Sequence, residues 1–271
     1  MTLNRLLAAL PAPDLDLLGP EQVVALDQDA VLSRAGDQIE YVFFPHSGAI
    51  SLMIDMADGK TVATAAVGRE GAVGLLSVLG PSPSANTAVV HAAGTAARIP
   101  ASRVRAAFDR SSAIRHAVQL HVKAMLIQFQ LGSACNALHP VEARMARWLL
   151  QLCDRIDDDV LSLTHQVLSQ ILGVRRTTVT LLMRNLRAHG AIRSDQRGRI
   201  EIERSRLAAA ACECHGIMRL EVEEIFSMKM ARSRPAILAN DERISGVELG
   251  EREALAGQPC SATRPSGARS A

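Results

Sequence analysis

The chain has 271 residues, 48% hydrophobic but only 3% aromatic, with 30 Lys and Arg against 28 Asp and Glu for a net charge of +2. That length holds two domains and a sizeable core, which must be built from Ala, Val, Leu, Ile and Met rather than from rings. No run of about 18 apolar residues exists to span a bilayer, and MTLNRLLAALPAPDLDLL has no long apolar stretch before Pro11, Asp14 and Asp16, so a cytoplasmic protein with no membrane partner and no secretion signal is expected.

Residues 1–20 read as a short helix with Leu6, Leu7 and Leu10 on one side, closed by Pro11 and Pro13. From Val23 to about Val104 the period changes to that of strands. Apolar runs such as Tyr41 to Phe44, Ala49 to Ile54 and Thr61 to Val67 are punctuated by Gly36, Gly48, Gly59, Gly68 and Gly80, which suggests a β-sandwich or barrel. The clearest hairpin is Ser51 to Ala66 around Asp58-Gly59. Residues 1–110 carry eight Arg or Lys against eleven Asp or Glu, so this half is mildly acidic and is not a nucleic-acid face.

A helical pattern runs from Ser111 to about Asn136. Its apolar residues Val118, Val122, Met125, Phe129 and Gly132 are spaced like a coiled-coil seam, which fits either a dimer contact or a helix lying on its own domain. His139-Pro140 breaks it, and a helix from Val141 to Ile156 follows, expected to bury Val141, Met145, Trp148, Leu149 and Leu152. Asp157, Asp158 and Asp159 form a solvated loop. After Leu207 one helix to about Met230 is expected, and the remaining residues, rich in Gly, Ser, Ala and Pro, read as a flexible tail.

Between these lies the most informative stretch, Leu163 to Leu186, LTHQVLSQILGVRRTTVTLLMRNL. Val167, Leu168, Ile171 and Leu172 give one helix an apolar stripe, Val179, Leu182, Met183 and Leu186 give a second, and Gly173 stands where the chain must turn. In a helix-turn-helix the second helix enters the major groove, so residues off its stripe carry the information. These are Arg175, Arg176, Thr177, Thr178 and Thr180, with Arg184 and Arg187 farther along at phosphate distance. Arginine suits guanine O6 and N7, and threonine offers a hydroxyl or a methyl.

Behind this pair, Ile192, Ile200 and Ile202 alternate around Asp195-Gln196-Arg197-Gly198, a two-stranded hairpin. Carrying Arg193, Arg197 and Arg199, it reads as a wing set against backbone phosphate. His165 to Arg206 holds nine arginines against three acids, a local balance of +6 in a chain of +2 overall. The competing reading is a helical hairpin in a globular core.

Five scattered cysteines fit reduced thiols rather than a disulfide framework. Cys212-Glu213-Cys214-His215 resembles half of a zinc site, but a structural zinc wants a second ligand pair and none stands out, so neither metal nor cofactor is expected. None of the eight histidines is singled out as a haem ligand. The absence of a G-x-S-x-G elbow, an H-E-x-x-H pair or a P-loop argues against an enzyme.

The order of parts, with Val42-Phe43-Phe44-Pro45, Gly48, Val67-Gly68-Arg69-Glu70-Gly71, the region Leu138 to Leu150 and LTHQVLSQILGVRRTTVT, resembles the Crp/Fnr family of bacterial transcription regulators over residues 1 to about 225. The resemblance implies an α+β chain: an antiparallel β-roll sensor at 1–110, a dimerisation helix at 111–137, a winged helix-turn-helix at 138–230 and a tail at 231–271. It also implies a homodimer on a palindromic operator, with RNA polymerase as a partner and a switch by ligand in many members. A signalling module using its winged helix for protein contacts is the alternative.

Two departures limit the carry-over. Members that bind cyclic nucleotides set a Gly-Glu pair and a later arginine around the ligand, the guanidinium taking the cyclic phosphate. Gly68, Glu70 and Gly71 match the first part, but Ser84 stands at the arginine position, and no Arg or Lys occurs between Arg69 and Arg98. Cyclic AMP is therefore disfavoured; another small effector near Glu70, or glycines serving only the backbone, remain open. At the base-reading positions Arg176, Thr177 and Leu181 stand where cyclic-AMP-type members carry Arg, Glu and Arg, so a different operator is expected.

Overall fold

The first apolar residues form two short helices rather than one. α1 (Arg5–Ala8) is capped by Asn4, whose side-chain oxygen accepts from the N–H groups of Leu6 and Leu7 while its amide donates to the carbonyls of Pro45 and Gly71. α2 (Ala12–Leu18) begins at the prolines instead of being stopped by them, because in a first turn the missing N–H is not needed and the fixed φ suits a helix. In this computed structural model, residues 4–80, 82–194 and 198–232 are described.

Seven strands follow: β1 (Gln22–Leu26), β2 (Val31–Ser33), β3 (Tyr41–Pro45), β4 (Ala49–Asp55), β5 (Thr61–Val67), β6 (Thr87–Ala92) and β7 (Gly94–Pro100). They make two antiparallel sheets, ordered β2-β6-β4-β5 and β1-β7-β3. The expected hairpin is β4–β5, with Ser51 opposite Ala66 and Asp55 opposite Thr61. The buried residues include Val42, Ile50, Ala65, Ala88, Val90, Ala96 and Ala97, small and β-branched as the composition required.

α3 (Ala101–Arg110) is a helix that the strand pattern had hidden, and it leads directly into α4 (Ser112–Leu138), which spans 27 residues. Ser111 caps α4 by accepting from the N–H of Ile114. Of the seam residues, Val118 and Met125 are buried in the chain's own core, Val118 beside Ala97 and Ile99 and Met125 with Ile50 and Val90. The seam therefore packs on the β-roll, and the helix leaves Leu126 (52% exposed) and Leu138 (78%) outward.

Pro140 opens α5 (Val141–Ile156), followed by β8 (Val160–Ser162), α6 (His165–Leu172), α7 (Arg176–Ala188), β9 (Ile192–Ser194) and β10 (Arg199–Ile202). The three strands pair in the order β8-β10-β9. Met145, Leu149, Leu152, Leu168, Ile171, Val179, Met183, Leu186, Ile192 and Ile200 share one core, which continues into Ala49, Met53, Ala63 and Ala66 of the β4–β5 hairpin. The single helix expected after Leu207 is two, α8 (Arg204–Ala210) and α9 (Cys214–Arg232), separated by extended backbone at Ala211. Buried Cys212 and Cys214 explain the break: their contacts with Cys135 override local propensity. From residue 233 on, the tail lies outside the described residues. Among the described residues no helix is long and apolar enough to cross a membrane.

Candidate nucleic-acid interface and sensor bend

Thr164 starts α6 by accepting from the N–H of Val167. Gly173 ends it at φ +65°, a left-handed conformation that favours glycine. A Cβ there would meet nothing nearer than Val62 at 3.4 Å, so the dihedral rather than crowding selects the glycine. α7 is pinned by Val179, Leu182, Met183 and Leu186, all buried. Helical periodicity then turns Arg175, Arg176, Thr177, Thr180, Leu181 and Arg184 to solvent, with Thr178 half-buried.

The guanidinium groups of Arg175, Arg176 and Arg184 make no hydrogen bond or ion pair among the described residues. Thr180 is engaged: its hydroxyl donates to the Arg176 carbonyl and lies 3.1 Å from His165 Nδ1. Burial first, and the positive charges of Arg176 and Arg187 second, hold the His165 imidazole below its ordinary pKa. Arg199 is exposed on β10, its Nε 3.7 Å from Glu201 Oε1; Arg197 lies outside the described residues.

The bend after β5 is different. Glu70 Oε1 accepts from the Gly68 N–H and lies 3.0 Å from Arg155 Nε on α5. The approach is off the N–H direction, leaving that N–H without a bond, so this is a charge contact. Arg155 also donates to the carbonyls of Gln151 and Ala66 and to Gln128 Oε1, while Arg69 pairs with Asp157 through two bonds. A Cβ on Gly68 would stand 2.7 Å from Arg155 Cγ, and one on Gly71 3.1 Å from Val67 and 3.2 Å from His121. Both glycines stand where a side chain would crowd its neighbours.

Ser84 bonds elsewhere: its hydroxyl donates to the Asn86 carbonyl and its N–H to the Asp37 carbonyl. Glu70 and Ser84 have no hydrogen-bonding partner in common. Glu70 instead lines a crevice of about 110 Å³ with Arg5, Gln151, Asp154, Arg155 and His215. The next cation, Arg98, stacks on Tyr41 at 4.5 Å and donates to Gln22.

The second half of one cluster escaped the sequence reading. Cys212 and Cys214 meet Cys135 and His139 at the far end of α4. The available signal was Cys135-x3-His139, two ligand types one helical turn apart on one face.

Residues 23–111 match the model of the cyclic nucleotide-binding domain and residues 143–210 that of the Crp-like helix-turn-helix domain. No curated protein sequence gives a significant match. Among solved structures, FixK2 from Bradyrhizobium japonicum superposes with a TM-score of 0.61 at 17% identity, over 71% of this chain and 98% of its own. The c-di-GMP responsive global regulator CLP from Xanthomonas campestris gives 0.58 at 17%, over 71% and 99%. A CRP/FNR-family transcriptional regulator from Thermus thermophilus gives 0.58 at 19%, over 70% and 98%. At such identities the superpositions speak for the fold, and the two domain models add the sequence; with a cyclic nucleotide-binding-like β-roll joined by a long helix to a Crp-like reading head, the chain belongs to the Crp/Fnr family of transcription regulators.

Proposed function

We propose that the protein binds DNA sequence-specifically as a homodimer in the cytoplasm, on a two-fold symmetric operator, and regulates transcription without responding to cyclic AMP. The observation that carries this reading is the exposed face of α7 and its N-cap, where the side chains of Arg175, Arg176 and Arg184 have no partner among the described residues. Arg176 is the main base reader, bidentate to guanine, and Thr177 and Leu181 offer methyl groups to thymine. Arg175, Thr178, Arg184, Arg197 and Arg199 contact the phosphate backbone. Thr180, with its hydroxyl already bonded, holds the first turn of the helix in place.

Dimerisation is supported by the outward apolar residues of α4, Leu126 and Leu138, since two recognition helices must reach successive major grooves. RNA polymerase is the partner through which a promoter-bound dimer would act. Against cyclic AMP stand the lack of any arginine or lysine from residue 70 to 97 and the engagement of Glu70 with Arg155. A buried phosphate left without a cation forgoes a bond worth about 1.5 to 3 kcal/mol.

The test is selection of bound duplexes from a random pool by the purified protein, with and without cyclic AMP. A palindromic motif recovered equally in both is the expected result. A motif that appears only with cyclic AMP would overturn the reading of the roll, and no motif in either would favour protein contacts by the winged helix.

A further inference from the structure

We propose that Cys135, His139, Cys212 and Cys214 form a structural Zn2+ site that ties together the two ends of the reading head. The four ligand atoms lie within 4.8 Å of one another. Cys135 Sγ is 3.5 Å from Cys212 Sγ, and Cys214 Sγ is 3.6 Å from His139 Nδ1. In a tetrahedron with Zn–S near 2.3 Å and Zn–N near 2.0 Å, the S···S edge is about 3.8 Å and the S···N edge about 3.5 Å. Small side-chain shifts would centre an ion.

Three further features match a metal site rather than an accidental thiol cluster. His139 turns Nδ1 toward Cys214 and Nε2 toward Glu213 Oε1, 3.2 Å away; a carboxylate behind a ligating imidazole fixes its tautomer and orientation. Three thiolates and Zn2+ sum to one negative charge, and Arg147, only 3% exposed, and Arg144 act electrostatically on the thiols from α5. Cys135, Cys212 and Cys214 are buried, whereas the His139 side chain keeps 22% of its surface, so an ion has a way in.

Four protein ligands with no open position are the mark of a structural zinc. The compactness argues for one ion, since an iron–sulfur cluster distributes its cysteines over several irons. The location gives the ion a role. Residues 140–211, between the two ligand pairs, contain the entire winged helix-turn-helix, so the metal closes a loop around the reading head and fixes its root to the end of α4.

The experiment takes the full-length protein purified under reducing conditions without chelator, measures zinc per chain, and then titrates the metal-free protein with Co2+. The expected result is one zinc per chain, together with the thiolate charge-transfer and visible bands of tetrahedral Co2+. Both should be lost in Cys135→Ser and Cys212→Ser and kept in Cys153→Ser, a buried thiol on α5 outside the cluster. Should the serine variants fold poorly, zinc release from the wild-type chain by a thiol reagent decides instead, with release tracking the modification of three of the five thiols. Zinc far below one per chain with no Co2+ spectrum, or metal content unchanged by the two variants, would overturn the proposal.

Discussion

The recognition helix and the bend after β5 are both rich in charge, yet they differ in how that charge is bonded. At and along α7, the side chains of Arg175, Arg176 and Arg184 face solvent with no partner among the described residues. At the bend, Arg69 is matched by Asp157, and Glu70 is shared between Gly68 and Arg155. Charges left without protein partners cost little in water and are ready for an external polyanion. Charges that bond one another must first be separated before a ligand can use them. The two regions thus differ in kind: the charges at the bend are spent on one another, and those along α7 are open to solvent.

Glu70 carries the largest expected effect. If its role is internal, Glu70→Ala leaves a largely buried guanidinium without its counter-charge, the side chains being only 14% and 11% exposed, and should destabilise the chain by about 3 kcal/mol in urea denaturation. A variant as stable as the wild type would return Glu70 to the list of free ligand contacts.

Two buried histidines, one of them at this bend, make stability depend on pH. His121, against Gly71, and His91, beside Ser51, are both buried, and burial lowers each pKa from 6.5 to about 4. Between pH 6.5 and about 4 the unfolded chain takes up these protons and the folded chain does not. Stability is therefore full above pH 6.5 and falls by up to about 3 kcal/mol per histidine as the pH drops toward 4. Chemical denaturation at pH 7.5 and 5 should show the loss, and His121→Gln should reduce it. An unchanged slope in that variant would contradict the burial argument.

Much of this molecule was legible in the sequence because local pattern and tertiary role agree there. The β4–β5 hairpin, the helix from Val141 to Ile156 and the pair of helices around Gly173 all carry the periodicity that their burial demands. Legibility failed where contacts distant in sequence decide. α3 follows β7 without a break, so the strand pattern concealed it. The gap between α8 and α9 depends on thiols that meet Cys135 across 77 positions. The spacing of Val118, Val122 and Met125 could not say whether the partner was a second chain or the roll beneath.

If α7 reads DNA through Arg176 while the wing supplies affinity alone, Arg176→Ala and Arg199→Ala must differ in binding to the selected duplex and to a scrambled one. Arg176→Ala should lose about 1 to 3 kcal/mol on the selected duplex and relax preference at one operator position. Arg199→Ala should lose less, equally on both duplexes, with the salt slope reduced by about 1. Equal losses by both variants on both duplexes would contradict the account.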